Sequence, residues 1–243
     1  MSYFVFNGRS SEDFGIRIHN ELEFTTPARD LEKVTVLGRN AELLIDNQRY
    51  KTIQKSIKID IRIPQGNGQE LQNRVMQIYD WLNIQEWTEF RWSMYPDFIY
   101  KARVLNPFNI LDALRWLGRG VIDMEFYPVM YYPNNELKTI NSGATIANIG
   151  NVNADPLIII TPATDSRIDI LNNGEAWISL KDVTSKITID SEMMVATDTD
   201  GNANKKMLIR KPLFPVLVQG DNKITFNNIS KLEINPRIGR LAI

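Results

Sequence analysis

The fold is decided by residues 27–82, which read PARDLEKVTVLGRNAELLIDNQRYKTIQKSIKIDIRIPQGNGQELQNRVMQIYDWL. Its middle part looks like a long alternating strand that ends at Ile63, since residues 57–63 alternate between isoleucine and a charged residue. A period of two is typical of a strand with one buried and one solvated face. The next residues, 64–68 (PQGNG), then break the strand.

One amphipathic helix follows this break. Apolar residues recur at spacings of four, three and four, at Leu71, Val75, Ile78 and Leu82. We expect Met76, Tyr79 and Trp81 to widen this apolar stripe. Glu70 in the first turn suits the positive end of the helix dipole. The helix is predicted to cover one face of an N-terminal sheet. Because such a stripe is usually core, it predicts no cofactor site.

Period-two patterns recur at residues 90–94, 100–104 and 122–126, with turn signals between them, which favours antiparallel sheet. In the second half, short alternating runs flank 172–174 (NNG), a strong hairpin signal. The chain is therefore predicted to be mainly β, with an antiparallel N-terminal domain and a C-terminal β-sandwich. The segment 135–155 is rich in Asn, Gly, Ala and Ser. We place the boundary there, giving domains 1–134 and 135–243, and the last residues can pack back on the first domain.

Composition excludes several function classes. The chain has no cysteine, which excludes disulfides, cysteine-ligated zinc and thiol nucleophiles. Its single histidine, His19, is interpreted as a strand-end or interface residue. With 28 basic and 29 acidic residues, the chain lacks the charge of a protein that grips nucleic acid. No apolar run approaches the roughly 20 residues of a membrane span, and the N-terminus reads as a strand and not as a signal peptide. We expect protein partners.

Two acidic patterns invite a chemical interpretation. Residues 198–202 (DTDGN) resemble the start of a calcium loop, but Ala203 and Ile209 occupy the positions where an EF-hand needs glycine and glutamate. A hairpin turn is the better account. Asp165, Asp169 and Glu175 are candidate carboxylates for a glycosidase, yet their spacing singles out no pair. The sequence predicts no enzyme activity, no metal and no cofactor.

Two apolar features leave alternatives open. Residues 105–120, rich in large apolar side chains, read as an irregular loop that either folds back on its own core or makes a subunit contact. Trp177 lies in an alternating strand and points either into the core or outward as a sugar-stacking platform. The second possibility keeps a glycan-binding module as the alternative function.

Short motifs follow one another in a distinctive order along both halves of the chain. In the first half the motifs are 4–8 (FVFNG), 13–16 (DFGI), 27–30 (PARD), 36–40 (VLGRN), 119–120 (RG) and 126–128 (FYP). In the second half they are 141–143 (NSG), 154–156 (ADP), 187–192 (ITIDSE), 214–215 (FP), 220–224 (GDNKI) and 236–237 (PR). This order resembles the distal tail protein (Dit) family of long-tailed, non-contractile bacteriophages. The family pattern has glycine after Arg39-Asn40, whereas this chain has Ala41.

The resemblance implies a structural protein and not an enzyme. Members form a hexameric ring through a tail-tube-like N-terminal domain, with a galectin-like domain outside, and rings can stack. Such a ring is a baseplate hub for host attachment at the tail tip of the virion, assembled from subunits made in the host cytoplasm. It joins the tube protein and tape measure protein to the tail-associated hub protein. Its outer domain offers a place for receptor-binding or baseplate proteins.

The ring interpretation carries two further expectations. Candidate subunit-interface residues are Arg39, Leu114, Arg115, Trp116, Leu117 and Arg119, since arginine and aromatic residues are enriched at interface hot spots. DNA is expected to pass through the lumen without specific binding. We therefore predict that lumen-facing residues are not net basic.

Overall fold

The protein is described from a computed structural model. It describes residues 2–19, 25–62, 68–105, 109–114, 117–164, 166–208 and 214–243. The chain divides into two compact units, the first formed by Met1–Met130 with Leu241–Ile243 and the second by Tyr131–Arg240. The boundary predicted from the sequence lies a few residues further along, after Asn134.

Strands dominate the first unit. Its elements are β1 (Phe4–Phe6), β2 (Arg9–Ser10), a 3-10 helix (Ser11–Phe14), β3 (Ile16–Ile18), β4 (Arg29–Val34), β5 (Leu43–Tyr50), β6 (Ile53–Arg62), α1 (Gly68–Leu82), β7 (Thr88–Trp92), β8 (Tyr100–Val104), β9 (Asn109–Leu114), β10 (Leu117–Phe126) and β11 (Val129–Tyr131). Within the described residues, eight of these strands form one antiparallel sheet in the order β2-β1-β7-β8-β10-β6-β3, with β9 also paired to β10. β4 and β5 form a separate two-stranded sheet.

The alternating strand predicted to end at Ile63 is β6, which ends at Arg62, and Ile63 lies outside the described residues. β5 pairs with β4, whereas β6 pairs with β10 along its whole length, from Ile53 opposite Phe126 to Arg62 opposite Leu117. The chain changes sheets at Lys51 and Thr52, between the two strands. This junction contains none of the glycine, proline or asparagine residues that mark turns, so the local sequence does not indicate the change of sheet.

The prediction of an irregular loop at residues 105–120 was wrong. β9 and β10 form a hairpin, with Asn109 opposite Val121 and Leu114 opposite Leu117, and a register shift between Leu117 and Gly118. The turn residues 115–116 lie outside the described part of the chain. The run Ile110-Leu111-Asp112-Ala113-Leu114 has no clean alternation, and without that period the pattern does not indicate a strand.

An aromatic core lies between the main sheet and α1. Phe4, Phe6, Phe14 and Phe90 are fully buried, and the Phe14 ring stacks on Trp81 of α1 with centroids 4.4 Å apart. The Trp81 indole Nε1 donates a hydrogen bond of 2.9 Å to the Phe6 carbonyl oxygen. A buried tryptophan N–H needs such a partner, so this bond fixes where the helix meets the sheet.

The helix confirms the predicted stripe in part. Leu71, Ile78 and Leu82 are buried, and Val75 packs against the core from a partly buried position. Trp81 widens the stripe as expected, but Met76 and Tyr79 are exposed. At 100° per residue these two side chains fall outside the arc that faces the sheet.

Gly15 ends the 3-10 helix in the left-handed conformation, with φ 70°. A Cβ at this position would lie 2.6 Å from the Arg62 carbonyl oxygen of β6, whereas a Cβ at Gly8, with nearly the same φ of 69°, would meet nothing within 4 Å. Gly8 is therefore a matched control for the contact alone.

We expect Gly8→Ala to cost about 1 kcal/mol, the conformational penalty of a left-handed alanine, and Gly15→Ala to cost about 3 kcal/mol, because backbone atoms of β6 must also move. Urea unfolding followed by circular dichroism measures both variants. Equal losses in the two variants would show that β6 does not pack against Gly15 as described.

The second unit contains two sheets. Its elements are β12 (Lys138–Ile140), β13 (Ala144–Asn148), β14 (Leu157–Pro162), β15 (Ser166–Asn172), β16 (Glu175–Val183), β17 (Ile187–Asp190), β18 (Val195–Asp198), β19 (Gly201–Asn202), a 3-10 helix (Asn204–Lys206), β20 (Gly220–Phe226), β21 (Ile229–Asn235) and β22 (Gly239–Leu241). One sheet has the order β12-β21-β14-β17-β18-β19 and the other β13-β20-β15-β16.

The core of the second unit is aliphatic and receives side chains from both sheets. Ile158 and Ile189 of the first sheet, and Ile170 and Ile224 of the second, are fully buried. Two facing antiparallel sheets around one core make the predicted β-sandwich. The hairpin predicted at residues 172–174 is confirmed, since β15 and β16 meet there with positive φ at Asn173 and Gly174.

Candidate functional site

The candidate site is the hairpin formed by β4 and β5, referred to below as the β4–β5 hairpin (Arg29–Tyr50). Its strands run antiparallel, with Val34 opposite Leu43 beside the turn. In the turn, the Arg39 amide donates a 3.1 Å hydrogen bond to the Val36 carbonyl oxygen. Gly38 supplies the positive φ, 82°, that this turn requires. The left-handed conformation is therefore supplied by Gly38. Ala41, which stands where the family pattern has glycine, need not adopt that conformation.

Apolar side chains on this hairpin face solvent. Leu37 is fully exposed at the turn, and Leu44 is 56% exposed. Further exposed residues of the same hairpin are Leu31, Val36, Leu43 and Ile45. Exposed apolar surface often marks an interaction site, so these side chains make the hairpin a candidate contact surface. An isolated two-stranded hairpin is also only marginally stable.

Ion pairs hold the base of the hairpin. The Arg29 guanidinium approaches the Asp46 carboxylate to 2.9 Å and stacks on the Tyr50 ring at 4.8 Å. The Arg49 Nε donates a 2.6 Å hydrogen bond to Asp30. These hydrogen bonds from Arg49 and Arg29 hold the pKa of Asp30 and of Asp46 below the ordinary aspartate value. Polar pairs therefore orient the hairpin, while its turn and middle remain apolar.

The interface residues predicted from the sequence fall on two different sheets. Arg39 is exposed in the hairpin turn. Arg119 is exposed on β10, with its Nε 3.6 Å from Asp60 Oδ1. Leu114 ends β9 and Leu117 begins β10. Arg115 and Trp116 lie outside the described residues. A subunit contact through these six residues stays a prediction.

Sequence reasoning missed the apolar residues of the β4–β5 hairpin. The run Leu43-Leu44-Ile45 reads as a buried strand segment, because three consecutive apolar residues normally face a core on both sides. The available signal was the glycine turn at residues 36–39 between two short runs, which indicates a hairpin. A hairpin outside the main sheet leaves such a run exposed.

The chemical candidates do not come together. Asp169 accepts hydrogen bonds from Arg167 at 2.8 Å and from Ser179 at 2.5 Å. Glu175 is exposed beside the hairpin turn. Asp165 lies outside the described residues. Among the described residues, no three His, Cys, Asp or Glu side chains are grouped to hold a metal ion. Asp198 accepts a hydrogen bond from the Asp200 amide at 2.9 Å, inside the hairpin predicted for residues 198–202.

Two features of the second unit bear on the glycan-binding alternative. A groove of about 340 Å³ is lined mainly by apolar residues, among them Ile140, Ile146, Ile149 and Ile234, and by no acidic residue within the described chain. Trp177 is partly buried against the core, and its Nε1 donates a 2.9 Å hydrogen bond to the Val216 carbonyl oxygen. The core interpretation of Trp177 is thus the one that the structure supports.

His19 follows β3, and its amide donates a 3.1 Å hydrogen bond to the Lys58 carbonyl oxygen. This is the strand-end position expected from the sequence.

Within the described residues, no helix is long and apolar enough to cross a membrane.

Comparison with known proteins shows a likeness at the level of the fold. No protein-family model matches the sequence, and no curated protein matches it. Among solved structures, the fold matches the crystal structure of SPP1 Dit (gp 19.1), described as a paradigm of the hub adsorption apparatus in phages that infect Gram-positive bacteria. The TM-score is 0.71 at 11% identity, over 96% of this chain and 97% of that chain. The predicted likeness to distal tail proteins is therefore confirmed at the level of the fold.

Proposed function

From the fold shared with SPP1 Dit, we propose that this chain is a distal tail protein: a structural subunit whose copies close into a ring at the tip of a long, non-contractile phage tail. The single observation that carries ring closure is the exposed apolar surface of the β4–β5 hairpin. In this proposal the hairpin of one copy packs on the first unit of the next. A head-to-tail contact of this kind closes into a ring when the rotation that relates one copy to the next is a whole-number fraction of a full turn.

A ring of six copies acts as a hub in this proposal. The tube protein and the tape measure protein lie above it, and the tail-associated hub protein lies below it. DNA passes through the bore, and the second unit, galectin-like in this proposal, offers an outer surface for baseplate or receptor-binding proteins. The ring performs no catalysis. Likeness of fold over nearly the whole of both chains supports this role.

Removing the apolar surface of the β4–β5 hairpin is expected to prevent assembly. Burying one leucine side chain is worth about 1.5–3 kcal/mol, so Leu37→Ser with Leu44→Ser should weaken each contact by well over tenfold. Light scattering on a size-exclusion column measures the mass. We expect six times the 28.0 kDa chain mass for the unaltered protein and single copies for the variant.

Met193→Ser is the matched control, because Met193 is 71% exposed but belongs to the second unit. It should leave the assembly mass unchanged. An assembly that survives loss of both leucines would show that subunits meet through another surface.

A further inference from the structure

The helix α1 has an outward side opposite the residues that it buries against the sheet. Positions 69, 72, 73, 76, 79 and 80 recur at helical spacings of three and four, so their side chains lie together along one side of the helix. All six residues are exposed. This side is called the outer stripe below and consists of Gln69, Gln72, Asn73, Met76, Tyr79 and Asp80.

The outer stripe is nearly free of charge. A helix side that faces only water usually carries charged residues, whereas Asp80 is the single charged residue of this stripe. Met76 is 57% exposed and Tyr79 is 46% exposed. Methionine and aromatic residues are enriched at protein interfaces, and lysine, glutamate and aspartate are depleted there. The outer stripe therefore has the composition of a contact surface.

Asp80 itself stands at an unfavourable place on the helix. It lies in the last turn of α1, where the helix dipole favours cations, and that turn contains no basic residue. The residues three and four positions away, at 76, 77, 83 and 84, are uncharged, so the helix provides no ion-pair partner for Asp80. A cation brought to Asp80 from another surface would offset the unfavourable dipole interaction.

The turn of the β4–β5 hairpin has the complementary character. Arg39 is the only charged residue among residues 36–41, and it is exposed. Beside the turn, Lys33 Nζ lies 3.6 Å from Glu42 Oε2, so these two charges offset each other. Leu37 is fully exposed. The turn thus presents an apolar side chain and one cation, and the outer stripe presents apolar side chains and one carboxylate.

The spacing of the two pairs also matches. Met76 and Asp80 are four residues apart on α1, which places them about 6 Å apart along the helix axis. Leu37 and Arg39 are two residues apart in the turn, so their Cα atoms are separated by at most about 7 Å. A Leu37 side chain that lies on Met76 therefore leaves Arg39 within reach of Asp80. Because Leu37 is fully exposed within its own chain, such a contact joins two copies.

We propose that the outer stripe of α1 receives the β4–β5 hairpin of a neighbouring copy, with Leu37 packed on Met76 and Arg39 paired with Asp80. The proposal rests on the proposed function, which makes the hairpin a subunit contact, and it adds the surface on which the hairpin packs. A hairpin and a helix side are two different surfaces, so their contact is head-to-tail and can close into a ring. A charge pair at such a contact fixes its register, and like charges placed there suppress it.

Exchanging the two charges tests the pairing of Arg39 with Asp80. Arg39→Glu and Asp80→Lys each place like charges opposite one another, so each should raise the concentration for half-assembly by about tenfold or more. The variant that carries both changes restores opposite charges and should return to within about threefold of the unaltered protein. Light scattering on a dilution series measures this concentration.

Asp97→Lys is the matched control, because Asp97 is an exposed carboxylate of the first unit that lies outside α1. It should leave the concentration for half-assembly unchanged. A cation suits the last turn of a helix, so Asp80→Lys should not lower the urea midpoint of the single copy. A loss of assembly in this variant is then a loss of the contact and not of the fold.

Cross-linking reads the same contact without requiring stable assembly. The chain has no cysteine, so single introduced thiols report one position each. Leu37→Cys is mixed with Met76→Cys under mild oxidation, and in parallel with Met193→Cys, which is 71% exposed in the second unit. A disulfide needs Cα atoms within about 7 Å, so the link from position 37 to 76 should exceed the link from 37 to 193 by about fivefold or more. Mass spectrometry of the linked peptides identifies each pair.

Three results would overturn the proposal. They are a link from position 37 that does not prefer position 76 over 193, a double charge exchange that assembles no better than its single variants, and an equal loss of assembly in Asp97→Lys. Rings that form without the preferred link would leave the ring function standing and remove this contact alone. The preferred link without rings would support the contact and count against ring closure.

Discussion

Phe90→Ala is expected to lower the free energy of unfolding of the first unit by about 4 kcal/mol. Phe90 is fully buried on β7, and its ring centroid lies 5.2 Å from Phe4, 4.6 Å from Trp92 and 5.0 Å from Phe126. Truncation removes the apolar area of one ring and leaves its neighbours facing a cavity that a rigid sheet cannot close. Large-to-small changes at such positions usually cost about 3–5 kcal/mol.

Tyr79→Ala is the control for this change. Tyr79 is 46% exposed on α1, and alanine is the better helix former, so the loss should stay within about 0.5 kcal/mol. Urea unfolding followed by tryptophan fluorescence is suitable, because four of the five tryptophans belong to the first unit. A loss below about 1 kcal/mol for Phe90→Ala would contradict the described core.

Arg237→Met is expected to destabilise the second unit by about 3 kcal/mol. Arg237 donates two hydrogen bonds to Asp190, at 2.6 and 2.9 Å, and its Nη1 lies 3.5 Å from Glu192 Oε2. The Arg237 side chain is only 20% exposed, and both carboxylates are less exposed still. Removing the cation leaves the largely buried Asp190 carboxylate without its ion-pair partner and takes a nearby positive charge from Glu192, which costs more than the pair itself contributes.

The stability difference between Arg237→Met and the unaltered protein should depend on pH in a defined direction. Burial acts to raise the pKa of Asp190, but hydrogen bonds from Arg237 and from the Met193 amide outweigh it, so this pKa lies below the ordinary value. Stability from a lowered carboxylate pKa is present above the unfolded value, about 4, and is lost as the pH falls through the folded one. The gap between the unaltered protein and Arg237→Met should therefore be widest near neutral pH and narrow below about pH 4.

Arg167→Met provides the matched surface control. Arg167 also pairs with an aspartate, Asp169, at 2.8 Å, but its side chain is 55% exposed. Exposed ion pairs contribute about 0–1 kcal/mol, so Arg167→Met should lower the free energy of unfolding far less than Arg237→Met does at neutral pH. Two results would show that the Asp190 ion pair is not the cause of the destabilisation. One is an equal loss of stability in Arg237→Met and Arg167→Met. The other is a stability difference between Arg237→Met and the unaltered protein that does not change with pH.

The sequence predicted those elements in which one face is buried and the other is wet. β6 and the buried side of α1 follow directly from their periods, because burial on one side enforces alternation. The β4–β5 hairpin could not be predicted in this way, since its run Leu43-Leu44-Ile45 is exposed to solvent and does not alternate. Periodicity reports burial within one subunit, and it cannot distinguish an interface from a core.

Contacts between segments far apart in the chain could not be predicted from the sequence either. The motifs 187–192 and 236–237 were noted only as marks of a resemblance, yet Asp190 and Arg237 join them through a bidentate ion pair. Their separation of 47 residues follows from the pairing order of the sheet and not from any local pattern. The clustering of Arg17 and Arg119 around Asp60 has the same origin, because three strands far apart in sequence become neighbours.

Electron microscopy of the purified chain, with class averages along the particle axis, shows directly whether its copies form a ring. We expect closed rings of six subunits around an open bore, alone or stacked in pairs. Open filaments, two-fold dimers, or particles that remain single copies at the highest attainable concentration would contradict the claim that this chain closes on itself through the β4–β5 hairpin.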